Sequence, residues 1–236
     1  MKQKLREVVV LQHVPNEGAG TLLDYLKFEK IPVRTIALYR GDSLPDPDQV
    51  SAALIMGGPM NVYQEKEHPF LKEENVFIKK LIEADTPCFG VCLGSQLIAK
   101  ALGFKVYKAK KPEIGWQDVS LSAAAESDPV FSQVHAKKFR VLQWHEDTFD
   151  LPAGATLLAS SGEVPHQAYR YGECVYGLQF HVEVDRPMIE DWFQKSPDLG
   201  AILREHANYR GALKKITDGM YKRFFDLMKR RLDAVV

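Results

Sequence analysis

Residues 90–94 read Gly90-Val91-Cys92-Leu93-Gly94 and follow Pro87-Cys88-Phe89, an apolar run as long as a short buried strand. A cysteine with glycine two positions before and two after it, at a strand-to-helix junction, is the thiol form of a nucleophile elbow. In so sharp a turn a side chain at either flanking position would collide with neighbouring backbone. The turn lifts the thiol above the sheet edge, beside the free N–H groups of the next helix. The plainer reading is a buried cysteine near a helix cap, since free cysteines are among the most buried residues. A nucleophilic cysteine also needs a base, and a group to orient that base. Of seven histidines, His181 closes the run Val175-Tyr176-Gly177-Leu178-Gln179-Phe180, and Glu183 follows two residues later. In an extended segment residues i and i+2 face the same side. The Glu183 carboxylate is therefore placed to fix the His181 tautomer and to favour its cation. Alone, His-x-Glu is equally a metal-ligand pair or a surface strand; with the elbow it completes a Cys–His–Glu triad. A third element is Gly57-Gly58-Pro59, after Ala53-Leu54-Ile55-Met56. Two glycines at a strand end commonly make a turn. They also let a backbone N–H approach a reacting carbonyl, with the Leu93 N–H as second donor. Such a pair holds the tetrahedral oxyanion of acyl transfer, where one donor is worth about 3 kcal/mol. No Walker-type phosphate loop occurs, and Gly18-Ala19-Gly20 is too generic to signal a nucleotide.

These groups need a scaffold that brings strand ends together. Val8 to Leu11, Val33 to Leu38, Ala52 to Met56 and Pro87 to Val91 read as apolar strands. Between them Leu22, Leu23, Leu26 and Phe28, and then Phe70 to Ile82, recur at helical spacing, and Gly94 to Leu102 forms the helix after the elbow. Near-continuous apolar strands alternating with helices predict a parallel sheet covered on both faces. In such sheets, sites lie at the carboxyl edge. From about Val106 the pattern changes. Val119 to Leu121, Phe139 to Trp144, Thr156 to Ala159, Gln167 to Arg170 and Val175 to Phe180 read as short strands of a mixed or antiparallel extension. Tyr171-Gly172-Glu173 is its hairpin turn. Asp185 to Phe193, Leu199 to Ala207 and Leu213 to Leu232 read as helices. In the last, Leu213, Ile216, Met220, Phe224 and Leu227 form an apolar stripe, while Lys214, Lys215, Lys222, Arg223, Lys229, Arg230 and Arg231 crowd the other positions. Gly219 weakens the case for one unbroken helix. The stripe either packs on the domain beneath a solvated basic face, or forms a docking surface for a partner subunit or acidic ligand.

Composition narrows the class. The 236 residues are 45% hydrophobic and 26% charged, enough apolar material for a full core. Lys+Arg and Asp+Glu both number 31, so no charge excess steers the chain to nucleic acid or to a membrane surface. No apolar run approaches the roughly 18 residues that span a bilayer. The start, Met1 to Glu7, is basic without the apolar stretch of a secretion signal. Three cysteines, Cys88, Cys92 and Cys174, form neither a disulfide framework nor a CxxC metal pair. The expectation is one soluble cytoplasmic domain over residues 1–236, with a core of about 6–195 and a helical extension of about 196–236.

Gly57-Gly58-Pro59, Gly90-Val91-Cys92-Leu93-Gly94-Ser95-Gln96 and Gly177-Leu178-Gln179-Phe180-His181-Val182-Glu183 resemble, in order and spacing, the three signature segments of class I (triad-type) glutamine amidotransferases. The likeness runs from about residue 6 to 195. The segment Gln143-Trp144-His145-Glu146-Asp147 makes the chain similar in particular to stand-alone, GMP-synthase-like members. The resemblance implies a flavodoxin-like α/β fold: a central mixed sheet with helices on both faces. It implies Cys92 as nucleophile, His181 as general base and then acid, and Glu183 as its orienting carboxylate. Oxyanion donors would be the backbone N–H groups of Gly58 and Leu93. Gln96, one helical turn past the elbow, would contact the α-amino or α-carboxylate end of glutamine. Trp144 and His145 would form the pocket wall, although Trp144 is equally a core residue and His145 a surface turn residue. The implied reaction is hydrolysis of the glutamine side-chain amide through a γ-glutamyl thioester, with no metal or organic cofactor. Most members deliver ammonia to a synthetase domain or subunit, and the forty or so residues beyond the likeness are too few to be one. Three readings follow: an amidotransferase acting freely or with a synthetase partner, a γ-glutamyl peptidase with the same triad, or a non-catalytic binding subunit. For the second, Met60-Asn61-Val62-Tyr63 is the segment that would admit a bulkier leaving group.

Overall fold

A computed structural model describes residues 7–234; the basic start, Met1 to Arg6, lies outside the described residues. Five parallel strands form the first half of the sheet. They are β1 (Glu7–Gln12), β2 (Val33–Ala37), β3 (Val50–Ile55), β4 (Cys88–Val91) and, returning from the far end of the chain, β9 (Val175–Leu178). Antiparallel partners extend it: β8 (Ala168–Tyr171), β7 (Thr156–Ser160), β5 (Val106–Leu121) and β6 (Lys138–Phe149). The order across the sheet is β2-β1-β3-β4-β9-β8-β7-β5-β6. This mixed sheet is the flavodoxin-like α/β architecture implied by the signature segments.

Alternation along the strands divides the core between the two faces. Val8, Val10, Leu54, Phe89 and Val91 turn towards α1 (Gly20–Phe28), α4 (Arg186–Trp192) and α5 (Leu199–Ala234). Val9, Leu11, Ala53, Ile55 and Cys88 turn towards α2 (Phe70–Glu83) and α3 (Leu93–Ala101). Strands with apolar residues on both faces are buried on both, which explains why β3 reads as a continuous apolar run.

Two elements differ from the sequence expectation. β5 is 16 residues long, not a short strand at Val119 to Leu121. Its first part, Tyr107-Lys108-Ala109-Lys110-Lys111, is largely exposed, so no apolar alternation marks it. It is held instead by ladder pairing such as Val106 with Phe149, across an irregularity between Lys108 and Glu113. The last two expected helices are a single helix, α5, of 36 residues. Its stripe, including Leu213, Met220, Tyr221, Phe224 and Phe225, is buried on the sheet, with Phe224 edge-on to Phe89 at 5.3 Å. That packing outweighs the local cost of Gly211 and Gly219. Several of its cations are paired: Lys214 with Asp218 at 2.7 Å, Lys222 with Asp226 at 2.6 Å, and Arg231 with Asp85 at 2.7 Å. Among the described residues, no helix is long and apolar enough to cross a membrane.

Candidate active site

Between the end of β4 at Val91 and the start of α3 at Leu93 a single residue turns the chain. Cys92 does so at φ 50° and ψ −109°. For a residue with a β-carbon this left-handed conformation costs about 1–3 kcal/mol, so the surroundings must hold it. They do so with hydrogen bonds on both sides of the turn. Cys92 N–H donates to Leu178 O at 2.8 Å, and Cys92 O accepts from Ser95 N–H at 3.0 Å and Ser95 Oγ at 2.7 Å. The glycines allow the approach. A β-carbon on Gly94 would sit 1.9 Å from Ile55 O, and one on Gly90 2.6 Å from the Gly94 carbonyl. Tyr169 reaches across β9 to donate its hydroxyl proton to Ser95 O at 2.8 Å, pinning the first turn of α3.

β9 runs beside β4, so its exit brings His181 and Glu183 to the same carboxyl edge. His181 Nδ1 lies 2.7 Å from Glu183 Oε1, and the other carboxylate oxygen accepts from Val182 N–H at 2.9 Å. Both side chains are 2% exposed. Burial pulls the His181 pKa down, but the carboxylate of Glu183 and the facing Cys92 sulfur outweigh it, and the net position is well above the ordinary 6.5. The imidazole is thus held towards its cation. Support comes from behind. Tyr221 of α5 donates to Val182 O at 3.1 Å, and Thr21 N–H donates to Glu183 O at 2.8 Å. Gly20 is part of this support rather than of a phosphate loop: a β-carbon there would lie 2.1 Å from Glu183 O.

A cavity of about 360 Å³ opens above the thiol, lined by Cys92, His181, Gly58, Pro59 and Trp144 together with Asn16, Glu17, Asp191, Trp192, Gln194 and Lys195. The β6 strand crosses to this edge through a bridge from Leu142 to His181, so that Trp144 O accepts from the Cys92 thiol at 3.5 Å. The Trp144 ring packs on Phe193 at 4.2 Å and on Trp192 at 5.8 Å, and Trp192 stands edge-on to His181 at 4.8 Å. Glu17 carries no sequence motif that would mark it. Burial pushes its carboxyl pKa up and Glu183 adds to this, against the downward pull of His181 and His13.

The remaining expected residues sit elsewhere. His145 follows Trp144 in a strand and so faces the other way. Its Nε2 meets Glu113 Oε2 at 3.0 Å and its Nδ1 meets Asp147 O at 3.0 Å. The same carboxylate accepts from Ser161 Oγ at 2.6 Å and from Gln167 Nε2 at 2.5 Å. Burial would raise the Glu113 pKa, but these donors hold it below 4.5. His145 therefore belongs to a buried network beneath the segment and does not line the cavity. Gln96 is also buried. Its amide donates to Asp147 O and to Gln179 Oε1, both at 3.2 Å, and Gln179 in turn donates to Cys92 Sγ at 3.8 Å. Beside it, Asp147 Oδ2 is buried with no protein partner. Met60 to Tyr63 lie outside the cavity lining, with the Val62 carbonyl fixed by Lys100 Nζ at 2.5 Å. Among the described residues no cluster of His, Cys, Asp or Glu is arranged to hold a metal ion.

Known proteins resemble the chain in sequence and in fold. The family described as glutamine amidotransferase class-I matches residues 27–188. The glutamine amidotransferase-like protein YfeJ of Salmonella typhimurium is 31% identical over 188 residues, covering 78% of each chain. A glutamine-hydrolysing GMP synthase subunit of Sulfolobus acidocaldarius is 30% identical over 166 residues, 69% of this chain and 80% of the relative. Longer GMP synthases are matched over only 24% and 26% of their own length. The crystal structure of a glutamine amidotransferase from Thermotoga maritima superimposes with a TM-score of 0.85 at 31% identity, covering 94% of this chain and 98% of the other. Likeness of this extent, in sequence as well as in fold, settles the kinship: the chain belongs to the class I glutamine amidotransferase family.

Proposed function

We propose that the protein hydrolyses the side-chain amide of L-glutamine to glutamate and ammonia, in a single cytoplasmic domain spanning residues 1–236. The observation that carries this reading is the elbow thiol facing a buried imidazole whose far nitrogen is bound to a carboxylate at 2.7 Å. In the mechanism, the Cys92 thiol passes its proton to His181, its sulfur attacks the amide carbon, and the carbonyl electron pair moves to oxygen. The N–H groups of Gly58 and Leu93 hold that oxyanion. His181 gives its proton to the departing nitrogen, which leaves as ammonia, and a γ-glutamyl thioester remains. His181, now neutral, takes a proton from water; hydroxide adds to the thioester, and the thiolate leaves. Gln96, buried beneath the thiol and outside the cavity lining, bears on the substrate through Gln179, which donates to Cys92 Sγ. Relatives named as GMP synthase subunits make a separate synthetase a fitting acceptor of the ammonia.

A second reading has its own support. Ammonia needs little room, yet the cavity that holds Cys92 and His181 also takes in Trp144, Trp192, Asn16 and Lys195. That space suits a γ-glutamyl peptide whose leaving group is larger. The discriminating experiment is glutamate release from purified protein on glutamine and a panel of γ-glutamyl dipeptides, with Cys92→Ala as blank. Turnover of glutamine alone supports the glutaminase. Preference for dipeptides supports the peptidase. Silence on all of them, with or without an added synthetase, would overturn both and leave a binding subunit.

A further inference from the structure

The peptide joining Gly57 to Gly58 has two ends with different tasks. In a trans peptide the carbonyl and the N–H point in opposite directions, so whatever holds Gly57 O also aims Gly58 N–H. Gly57 O is held by a buried imidazole: His13 Nδ1 lies 2.9 Å from it. The other ring nitrogen of His13 meets both oxygens of Glu74, at 2.9 Å and 3.1 Å, and both side chains are 0% exposed. The imidazolium form, donating from both nitrogens, satisfies Gly57 O and Glu74 at once. Burial works against that charge, but the Glu74 carboxylate and the Gly57 carbonyl prevail, and the His13 pKa is raised. Phe70, at the start of the helix that carries Glu74, stacks on the His13 ring at 6.1 Å. No other part of the proposed reaction uses this second imidazole–carboxylate pair.

Resting on the amidotransferase reading above, we propose that His13 and Glu74 are positioning residues of the oxyanion hole. They fix the Gly57–Gly58 peptide so that Gly58 N–H faces the cavity. A peptide flanked by two glycines inverts by a paired rotation of ψ at the first and φ at the second, and neither residue has a β-carbon to oppose it. Without an anchor the donor would spend part of its time turned away from the reacting carbonyl. A charged donor on the carbonyl supplies the anchor, and it also draws electron density through the peptide, making the N–H a stronger donor. The pair acts only on the tetrahedral species, because only there does the substrate oxygen carry full charge. The expected signature is therefore a loss in kcat with little change in KM.

The test separates the oxyanion hole from the thiol. His13→Leu combined with Glu74→Gln removes the donor without leaving a buried charge. His13→Asn combined with Glu74→Gln restores an N–H near the position of Nδ1. Two reagents read the two parts of the site. Iodoacetamide alkylates Cys92 by displacement of iodide and forms no oxyanion. Glutamate γ-semialdehyde adds reversibly: the Cys92 sulfur bonds to the aldehyde carbon, the carbonyl pair moves to oxygen, and the oxygen lies on the same donors as in hydrolysis. In the Leu/Gln variant, glutamine kcat should fall by roughly 10²-fold, the loss typical of one oxyanion donor. KM should move little, aldehyde affinity should fall in parallel with kcat, and the alkylation rate should stay within about twofold of wild type. The Asn/Gln variant should recover most of the loss. Folded variants with wild-type kcat and aldehyde affinity would overturn the proposal. So would a loss of kcat matched by an equal loss of alkylation, since the pair would then act on the thiol. Wild-type protein that neither releases glutamate nor binds the aldehyde would instead overturn the amidotransferase reading itself.

Discussion

Glu183→Gln tests the triad with a change of one atom. In the wild type the carboxylate accepts twice: Oε1 from His181 Nδ1 at 2.7 Å and Oε2 from Val182 N–H at 2.9 Å. An amide offers one acceptor and one donor, so it can satisfy only one of those two partners. If the amide oxygen stays on His181, the NH₂ group is pressed against the Val182 N–H. A buried donor without an acceptor costs about 1–3 kcal/mol. If the amide is reversed, its NH₂ faces Nδ1 and forces the proton to Nε2, the nitrogen needed as base. Either way the charge-assisted bond, worth about 1.5–3 kcal/mol at a site this buried, is lost from the transition state. That corresponds to a fall in kcat/KM of about 10- to 150-fold. A pH signature accompanies it. The folded His181 pKa is raised, so the imidazolium that protonates the leaving ammonia is present at low pH and is lost as pH rises through the folded value. The alkaline limb of wild-type kcat/KM should accordingly lie well above pH 6.5, and Glu183→Gln should move it downward. The assay is steady-state glutamate release across pH, with unfolding midpoints confirming that the variant folds. A variant within twofold of wild type, with its alkaline limb unmoved, would refute the assignment of Glu183.

Two further outcomes follow from the geometry. Gly94→Ala places a β-carbon 1.9 Å from the Ile55 carbonyl, a clash with backbone that no rotamer relieves. The variant should lose about 3 kcal/mol or more in urea unfolding and all turnover; a loss under about 0.5 kcal/mol would contradict the elbow packing. Iodoacetamide should modify Cys92 alone in the folded protein, because only this thiol lines the cavity. Cys88 is fully buried, and burial pushes its pKa far up; burial likewise pushes Cys174 up to about 11, against the pull of Arg231. Peptide mass mapping would expose the error if either of these labelled at a comparable rate before denaturation.

How much of this was legible in the sequence depended on whether one residue carried its own signal. The parallel strands were, because burial on both faces leaves unbroken apolar runs. The elbow was, because the turn tolerates nothing larger than glycine at 90 and 94. The outer half of β5 was not: its residues face solvent and only ladder hydrogen bonds hold them. The pocket was half visible. Trp144 and His145 are adjacent, and in a strand neighbours face opposite sides, so one lines the cavity while the other anchors the strand to Glu113. The fuller expectation for that segment needed the register of β6, which no local pattern supplies. Asn16, Glu17, Asp191 and Trp192 come from loops and a short helix brought together only by the tertiary fold, and their spacing in sequence carries no signature. His13 and Glu74, 61 residues apart, escaped for the same reason.

Tyr221 supports Val182 from a helix that ends the described chain, and His13 directly follows the strand that begins it. Both lie beyond residues 27–188, the stretch matched by the family description. The matched stretch and the mechanically complete unit thus have different borders here. A fragment cut to residues 27–188 would lose β1, the strand seated between β2 and β3, and would sever the edge strand β2 from the rest of the sheet. It would also remove Tyr221, which props the segment bearing the base, and His13, which holds the Gly57 carbonyl. Any trimming, permutation or fusion of this protein has to respect the wider border, since segments outside the matched stretch help to hold the reactive groups in register.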